Sequence, residues 1–499
     1  MSTPKEALSS RSLFKHMLQA SGLYSLAFVG QQLVSFALIP IKTRYLPPAD
    51  YGVLGLLEKT AIILSTLLGA SLPGAIGYFY FKTGSREMRR RVVMTAVAGS
   101  GGLGLLACVL CWPFAPALSR LLLRNETITY SLLLVFLSMP LAFTLEALFG
   151  WLRVEDRQKM WLVGALTRLA VTVVAVVLFL AAFRLRIIGV QYAALASMGI
   201  PLIILGAYCL YKNRPEFDLG LFLQMLRFAI PLGLGGLAMF LIHFGDQFFL
   251  VRYVTLTELG LYSFAYTLGM LVSGVYGSFA VYWGAQVYQI MQREDAEPVF
   301  ARVFTYVALG IVFCGLGIVV CSKPALGLLT TRSYAGALPL IPVLVMAYCV
   351  RSFGEFFRSL FMVAGRPGHD AACTWVASAV CLAGYALLIP RFGVWGAVGA
   401  TVATFFVFTA VTVVWTYRLR HYRVEPGRLL RIAAALAVIG ILYARFPVSS
   451  LVWQIGWAAL LIVLFPLLLC AMQFPTPGEL EAVRSVCRRI VRVPKIRTL

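Results

Sequence analysis

Long, almost uncharged apolar runs govern what this chain can fold into. Cut at its charged and Pro/Gly-rich breaks, the sequence gives fourteen runs of roughly 18 to 28 residues. They begin near Leu18, Tyr51, Val92, Tyr130, Met160, Ile187, Leu221, Glu258, Val299, Leu338, Ala371, Phe392, Leu429 and Ser450. About 20 such residues cross a bilayer as a helix that satisfies its own backbone hydrogen bonds. The expected fold class is therefore an all-α polytopic membrane protein with about 14 transmembrane helices. Those crossings use nearly all 499 residues, so no extramembrane catalytic domain fits. Charged residues make up 13% of the chain, against about 25% in soluble domains, which excludes an ordinary soluble enzyme. Catalytic residues, metal ligands and a cofactor are not expected. Nine of the ten cysteines lie inside apolar runs and read as small hydrophobes. Cys108 and Cys111 form a C-x-x-C in LLACVLCW, but with no further ligand nearby they read as packing.

The formal net charge of +23 would suggest nucleic acid in a soluble chain. Here the 43 Lys and Arg sit mostly in short loops between the runs, where they set orientation. If the amino terminus is cytoplasmic, the loops on that side hold more than twice as many of them as the opposite loops. Both termini are thus expected in the cytoplasm. The amino terminus lacks a signal-cleavage pattern, so residues 1–17 read as a cytoplasmic leader and the first run as a helix. The basic tail, 475–499, reads as a membrane-surface segment and not as a nucleic-acid site.

The first twelve runs repeat with a period near 208 residues. Arg44-Tyr45-Leu46, Asp50 and Gly52 match Arg252-Tyr253-Val254, Glu258 and Gly260; Glu146, Val154 and Arg157 match Glu355, Val363 and Arg366. Gly189-Val190, Ala193 and Ala196 match Gly393-Val394, Ala397 and Ala400. Because each unit holds an even number of spans, both enter the membrane from the same side, related by an axis along its normal. This gives two pseudo-symmetric six-helix bundles, 18–212 and 213–418, around a central cleft, with an appended helix pair at 419–474. Such a pair suits alternating access.

The segments that carry the repeat also carry a likeness. RYLPPADYG at 44–52, DQFFLVRYVTLTELGLYSFAYTLG at 246–269 and LLIPRFGVWGAVGATVAT at 387–404 resemble the polysaccharide-biosynthesis lipid flippases of the multidrug/oligosaccharidyl-lipid/polysaccharide exporter superfamily. The resemblance covers nearly the whole chain. It implies a multi-pass protein of the bacterial inner membrane that moves an undecaprenyl-diphosphate-linked oligosaccharide from the cytoplasmic to the periplasmic leaflet, for cell-surface polysaccharide biosynthesis. It also implies membrane lipids, a polysaccharide polymerase and chain-length machinery as partners. The family's usual Asp-Arg in the seventh span is Asp246-Gln247 here.

Ionisable residues within spans are costly, about 2.5 to 3.5 kcal/mol each at mid-helix, and usually face protein or a wet cavity. In the tenth span Arg351, Glu355 and Arg358 fall on one helical face. One reading has Arg351 and Arg358 attract a diphosphate or acidic sugar while Glu355 balances the empty cavity. The other is an ion-pair stripe that glues helices. Lys59 in the second span and Arg168 in the fifth are further substrate-binding candidates; Arg168 can alternatively snorkel, and Lys59 cannot share a helical face with its neighbour Glu58. His243 and Asp246 lie three apart on the seventh span, a candidate proton-coupling pair unless Asp246 instead pairs with Arg252.

Two other functions fit less well. A cation-coupled drug exporter of the same superfamily is expected to keep an acid in its first span, and the run from Leu18 to Ile41 has none. An integral-membrane glycosyltransferase or polymerase needs catalytic carboxylates on a large outer loop, and the longest ones carry only Glu126.

Overall fold

The computed structural model describes residues 30–31, 33–69, 72–123, 126–419, 421–446 and 450–475. The leader 1–17, the start of the first run and nearly all of the basic tail lie outside them. Every regular element among the described residues is helical. Helix α1 covers 33–45, α2 Pro48–Leu68, α3 Leu72–Lys82, α4 Arg86–Cys111 and α5 Ala115–Leu123. They are followed by α6 Thr129–Val154, α7 Gln158–Val177, α8 Arg186–Lys212, α9 Leu219–Leu250 and α10 Leu256–Ile290. The chain continues through α11 Ala296–Leu329, α12 Leu340–Val363, α13 Pro367–Leu419, α14 Pro426–Arg445 and α15 Leu451–Ala471.

Eleven of these are long and apolar enough to cross a membrane, and counting the bent α9 as one span makes twelve among the described residues. The chain is a multi-pass membrane protein. The expected count of fourteen also draws on the first run and on dividing α13. At 1.5 Å per residue, the 53 residues of α13 would make roughly 80 Å as one straight helix, more than twice a bilayer core. Its backbone breaks at Gly393 (φ 54°, ψ −126°), three residues beyond the Pro390 where the sequence suggests a split. The proline stays within the helix, and the reversal falls on the residue that can take a positive φ. The run beginning at Tyr51 likewise divides, into α2 and α3 beyond Gly69. Helix α9 bends by 48° between its Leu219–Pro231 and Gly235–Leu250 segments, where Pro231 removes a backbone donor.

The duplication is visible atom by atom. At the end of α6, Arg157 N donates to Leu152 O at 2.8 Å and Asp156 is left-handed (φ 56°); at the end of α12, Arg366 N donates to Phe361 O at 2.8 Å and Gly365 is left-handed (φ 64°). Both helices therefore stop with the same left-handed closure. At the first locus the two copies touch. A Cβ on Gly52 would lie 2.7 Å from Leu256 O and 2.8 Å from Gly260 N, and one on Gly260 would run into Pro48 O. Thr255 and Glu258 cap α10 reciprocally, with Thr255 N to Glu258 Oε2 at 2.9 Å and Glu258 N to Thr255 Oγ1 at 3.2 Å. In the other copy the matching Asp50 instead accepts from Arg186 Nε at 2.7 Å.

Among the described residues two compact units emerge, one holding everything up to Tyr288 together with the stretch from Leu326 to Leu419, the other Gln289–Ala325 together with the stretch that starts at His421. In the first, α12 packs most extensively on α13, and α9 contacts α2, α3, α4 and α13. The second groups most of α11 with α14 and α15. There Arg428 is buried between Tyr306 and Phe474, 5.2 and 4.4 Å from their ring centroids, and pairs with Glu425 at 3.2 Å.

Gly393→Ala should lower stability by about 1 to 3 kcal/mol, because a side chain is strained at that φ/ψ. Gly368→Ala, with nothing within 4 Å of its Cβ position, should leave it unchanged. Thermal unfolding of the detergent-solubilised chain compares the two; equal midpoints would refute the assignment of strain to Gly393.

Candidate functional site

The tenth apolar run folds as α12, whose inward face carries Leu340, Leu344, Ala347 and Tyr348 before Arg351. Arg351, Glu355 and Arg358 follow on that face at helical spacing and meet as expected. Arg351 Nη2 donates to Glu355 Oε1 at 2.9 Å, and Arg358 Nη1 to Glu355 Oε2 at 3.2 Å. A fourth residue closes the row. Arg358 Nε reaches Asp370 Oδ1, and Nη2 donates to Oδ2 at 2.8 Å. Two cations and two carboxylates thus alternate along α12 and the first turn of α13, and the group is formally neutral. Arg351 and Asp370 are only 8% and 7% exposed, so the charges sit where solvent compensates them least.

The two arginines are held differently. Arg358 uses Nε, Nη1 and Nη2 on two carboxylates. The sole carboxylate paired with Arg351 among the described residues is Glu355; its Nη1 lies 3.5 Å from Ser273 Oγ and its guanidinium 5.6 Å from the Phe405 ring centroid. Arg351 is therefore the cation that gains more from an additional anion.

His243 joins this group through aromatic neighbours. Its ring stacks on Tyr348 at 6.2 Å, its Nδ1 is 3.3 Å from the Tyr348 hydroxyl, and it lies 6.2 Å from Phe405. Asp246, one turn further along α9, is fully buried and does not pair with Arg252. The Tyr262 hydroxyl donates to its Oδ2 and the Gln247 backbone N–H to its Oδ1 at 2.7 Å. Arg252 begins the turn beyond α9 and leaves Asp246 to its neighbour on α10.

Lys59 approaches α9 at Phe244, the residue after His243: its ammonium is 5.0 Å from that ring centroid. Although Glu58 and Lys59 start on different faces, Lys59 Nζ comes within 3.7 Å of Glu58 Oε2, and Lys42 within 3.4 Å of Oε1. Arg168 stands apart, paired with Glu146 at 3.3 Å and one-third exposed. Of the repeat-related acids, Glu146 holds one arginine, from the neighbouring α7, and Glu355 holds two, both from its own helix.

Sequence reasoning missed Asp370, Tyr262 and Ser273. Asp370 follows Arg366-Pro367-Gly368 and reads as a loop acid; only the α12–α13 turn brings it under Arg358. Trp283 is buried beside this row, donating Nε1 to Ser359 Oγ at 3.0 Å and stacking on Phe356 at 4.7 Å. Among the described residues no group of His, Cys, Asp and Glu could hold a metal ion, and the described cysteines are free thiols.

A family model described as "Polysaccharide biosynthesis protein" matches residues 17–282. No curated protein matches the chain by sequence. Among solved structures, the lipid II flippase MurJ in an inward closed conformation aligns with a TM-score of 0.71 at 12% identity, covering 89% of this chain and 98% of that one. An inward-facing multidrug resistance MATE family transporter of the MOP superfamily aligns at 0.62 and 17% identity, covering 80% and 94%. A MATE structure in the straight conformation aligns at 0.55 and 16%, covering 80% and 95%. At these identities what is shared is the fold.

Removing Arg358 leaves Asp370 buried without its ion partner, so Arg358→Ala should destabilise the chain by about 3 kcal/mol or more. Arg168→Ala, at a pair that is only partly buried, should cost about 1 kcal/mol or less. Unfolding of the purified variants measures both, and equal losses would contradict this ranking.

Proposed function

The chain belongs to the polysaccharide-biosynthesis protein family, and on that premise we propose that it is a flippase for an undecaprenyl-diphosphate-linked oligosaccharide. It carries that lipid from the cytoplasmic to the periplasmic leaflet of the bacterial inner membrane, ahead of a polymerase and its chain-length machinery. The asymmetric hold on Arg351 is the observation that most supports this reading. A diphosphate entering an apolar interior needs compensation that is available on demand, and Arg351 is buried with one shared carboxylate. Arg358 supports it from below, and Lys59, which approaches α9 at Phe244, adds charge from the first bundle. Arg168, only partly buried and paired with Glu146, would meet the anion at the periphery. Both termini are cytoplasmic, by the distribution of Lys and Arg. The two six-helix bundles rock about the cleft between them. His243 and Asp246 couple that motion to the proton gradient through their tyrosine partners.

A deletion strain should accumulate lipid-linked oligosaccharide. Complementation with Arg351→Ala should fail at wild-type protein levels, since losing a mid-membrane charge eases insertion. Arg351→Lys should restore part of the export, and Glu355→Gln should be milder than either Arg→Ala change. Full export by the Arg351→Ala, Arg358→Ala double variant would overturn the site; unchanged lipid-linked intermediates in the deletion strain would overturn the substrate and favour a drug exporter. Reporter fusions after Gln473 and within Lys82–Arg91 should score cytoplasmic, and one after Leu46 periplasmic.

A further inference from the structure

We propose that Asp370 is a positioning residue that sets the anion affinity of Arg351, acting through Arg358 and Glu355. This rests on Arg351 being the substrate anion's contact. Any anion that reaches Arg351 competes with Glu355, whose Oε1 is 2.9 Å from Nη2. How firmly Glu355 stays there depends on its other partner. Glu355 Oε2 has only Nη1 of Arg358, at 3.2 Å, because Asp370 occupies Nε and Nη2. Asp370 thereby keeps Arg358 a one-donor partner for Glu355, and Glu355 stays on Arg351. Affinity for the anion is held down, which favours release on the far side of the membrane.

Asp370 is placed to do this while it also ties α13 to α12. It lies in the first turn of α13, is 7% exposed, and both its oxygens face Arg358. Its neutral amide analogue keeps the shape and loses the charge, so the Nε/Nη2 edge of Arg358 opens to Glu355. Glu355 then moves off Arg351, and the arginine is left for the ligand. The two neighbours of Glu355 therefore have opposite effects. Weakening Asp370 tightens binding at Arg351; removing Arg358 drives Glu355 wholly onto Arg351 and weakens it. A role confined to stability moves both in the same direction.

The test is binding of radiolabelled farnesyl diphosphate, a soluble prenyl diphosphate, to the full chain in nanodiscs of phosphatidylcholine. Asp370→Asn should lower the half-saturating concentration by about three- to tenfold, the range of one partly screened ion pair, and Asp370→Glu should leave it within about twofold of wild type. Arg358→Ala should raise it, and Glu355→Gln added to Arg358→Ala should bring it back to the wild-type value or below. Arg351→Ala should abolish binding. Lost binding in Arg351→Ala together with an unchanged or raised half-saturation in Asp370→Asn overturns the role of Asp370 and leaves Arg351 as the anion's contact. Wild-type binding by Arg351→Ala overturns that contact and, with it, the present inference. Should Asp370→Asn fail to fold, the Arg358→Ala, Glu355→Gln pair decides: no recovery on adding Glu355→Gln overturns the relay.

Discussion

Charge inside a hydrocarbon layer must be compensated locally, and the row Arg351, Glu355, Arg358, Asp370 is how this chain does it. Each unpaired charge at mid-helix costs about 2.5 to 3.5 kcal/mol on insertion scales. Alternating signs along α12 and into α13 cancel formally without water. The row lies where packing is densest: α12 and α13 are the most extensively packed helices of their unit, and the Arg358–Asp370 pair ties their basic-loop ends. A neutral row has a second property. Its members can exchange partners without leaving any charge bare, which an isolated arginine in the same position could not do.

The backbone follows the duplication while the charges do not. Gly52 and Gly260, equivalent in the two copies, sit at one close approach between them, where any side chain would collide with backbone. The ends of α6 and α12 close with identical hydrogen bonds. The cations that matter break the symmetry: positions equivalent to Arg351 and Arg358 are Ala142 and Phe149. The two arginines thus belong to one copy of the repeat alone. Lys59, from the other, approaches the same stretch of α9 at Phe244.

Much of this was legible in the sequence. Apolar length announces helices, the three matched loci announce the repeat, and spacing of three and four residues puts Arg351, Glu355 and Arg358 on one face. What was not legible depends on tertiary approach. Asp370 lies beyond a Pro-Gly turn, and nothing local says that α13 starts beneath Arg358. Tyr262 comes to Asp246 from the next helix, where the sequence offered His243 on the same face and Arg252 as the alternative. The break in α13 fell on Gly393 and not Pro390, since proline is tolerated in a membrane helix whose freed carbonyls find other partners, whereas a positive φ is not tolerated by most residues.

The most direct test of transport is to follow a lipid-linked oligosaccharide between leaflets in vesicles that contain only the purified chain. A membrane-impermeant glycosidase reports the fraction in the outer leaflet over time. If Arg351 carries the anion across, wild-type protein equilibrates the two leaflets and Arg351→Ala, at equal density in the vesicles, leaves the lipid where it was loaded. Equal rates for the two proteins, or no movement with the wild type, would contradict it.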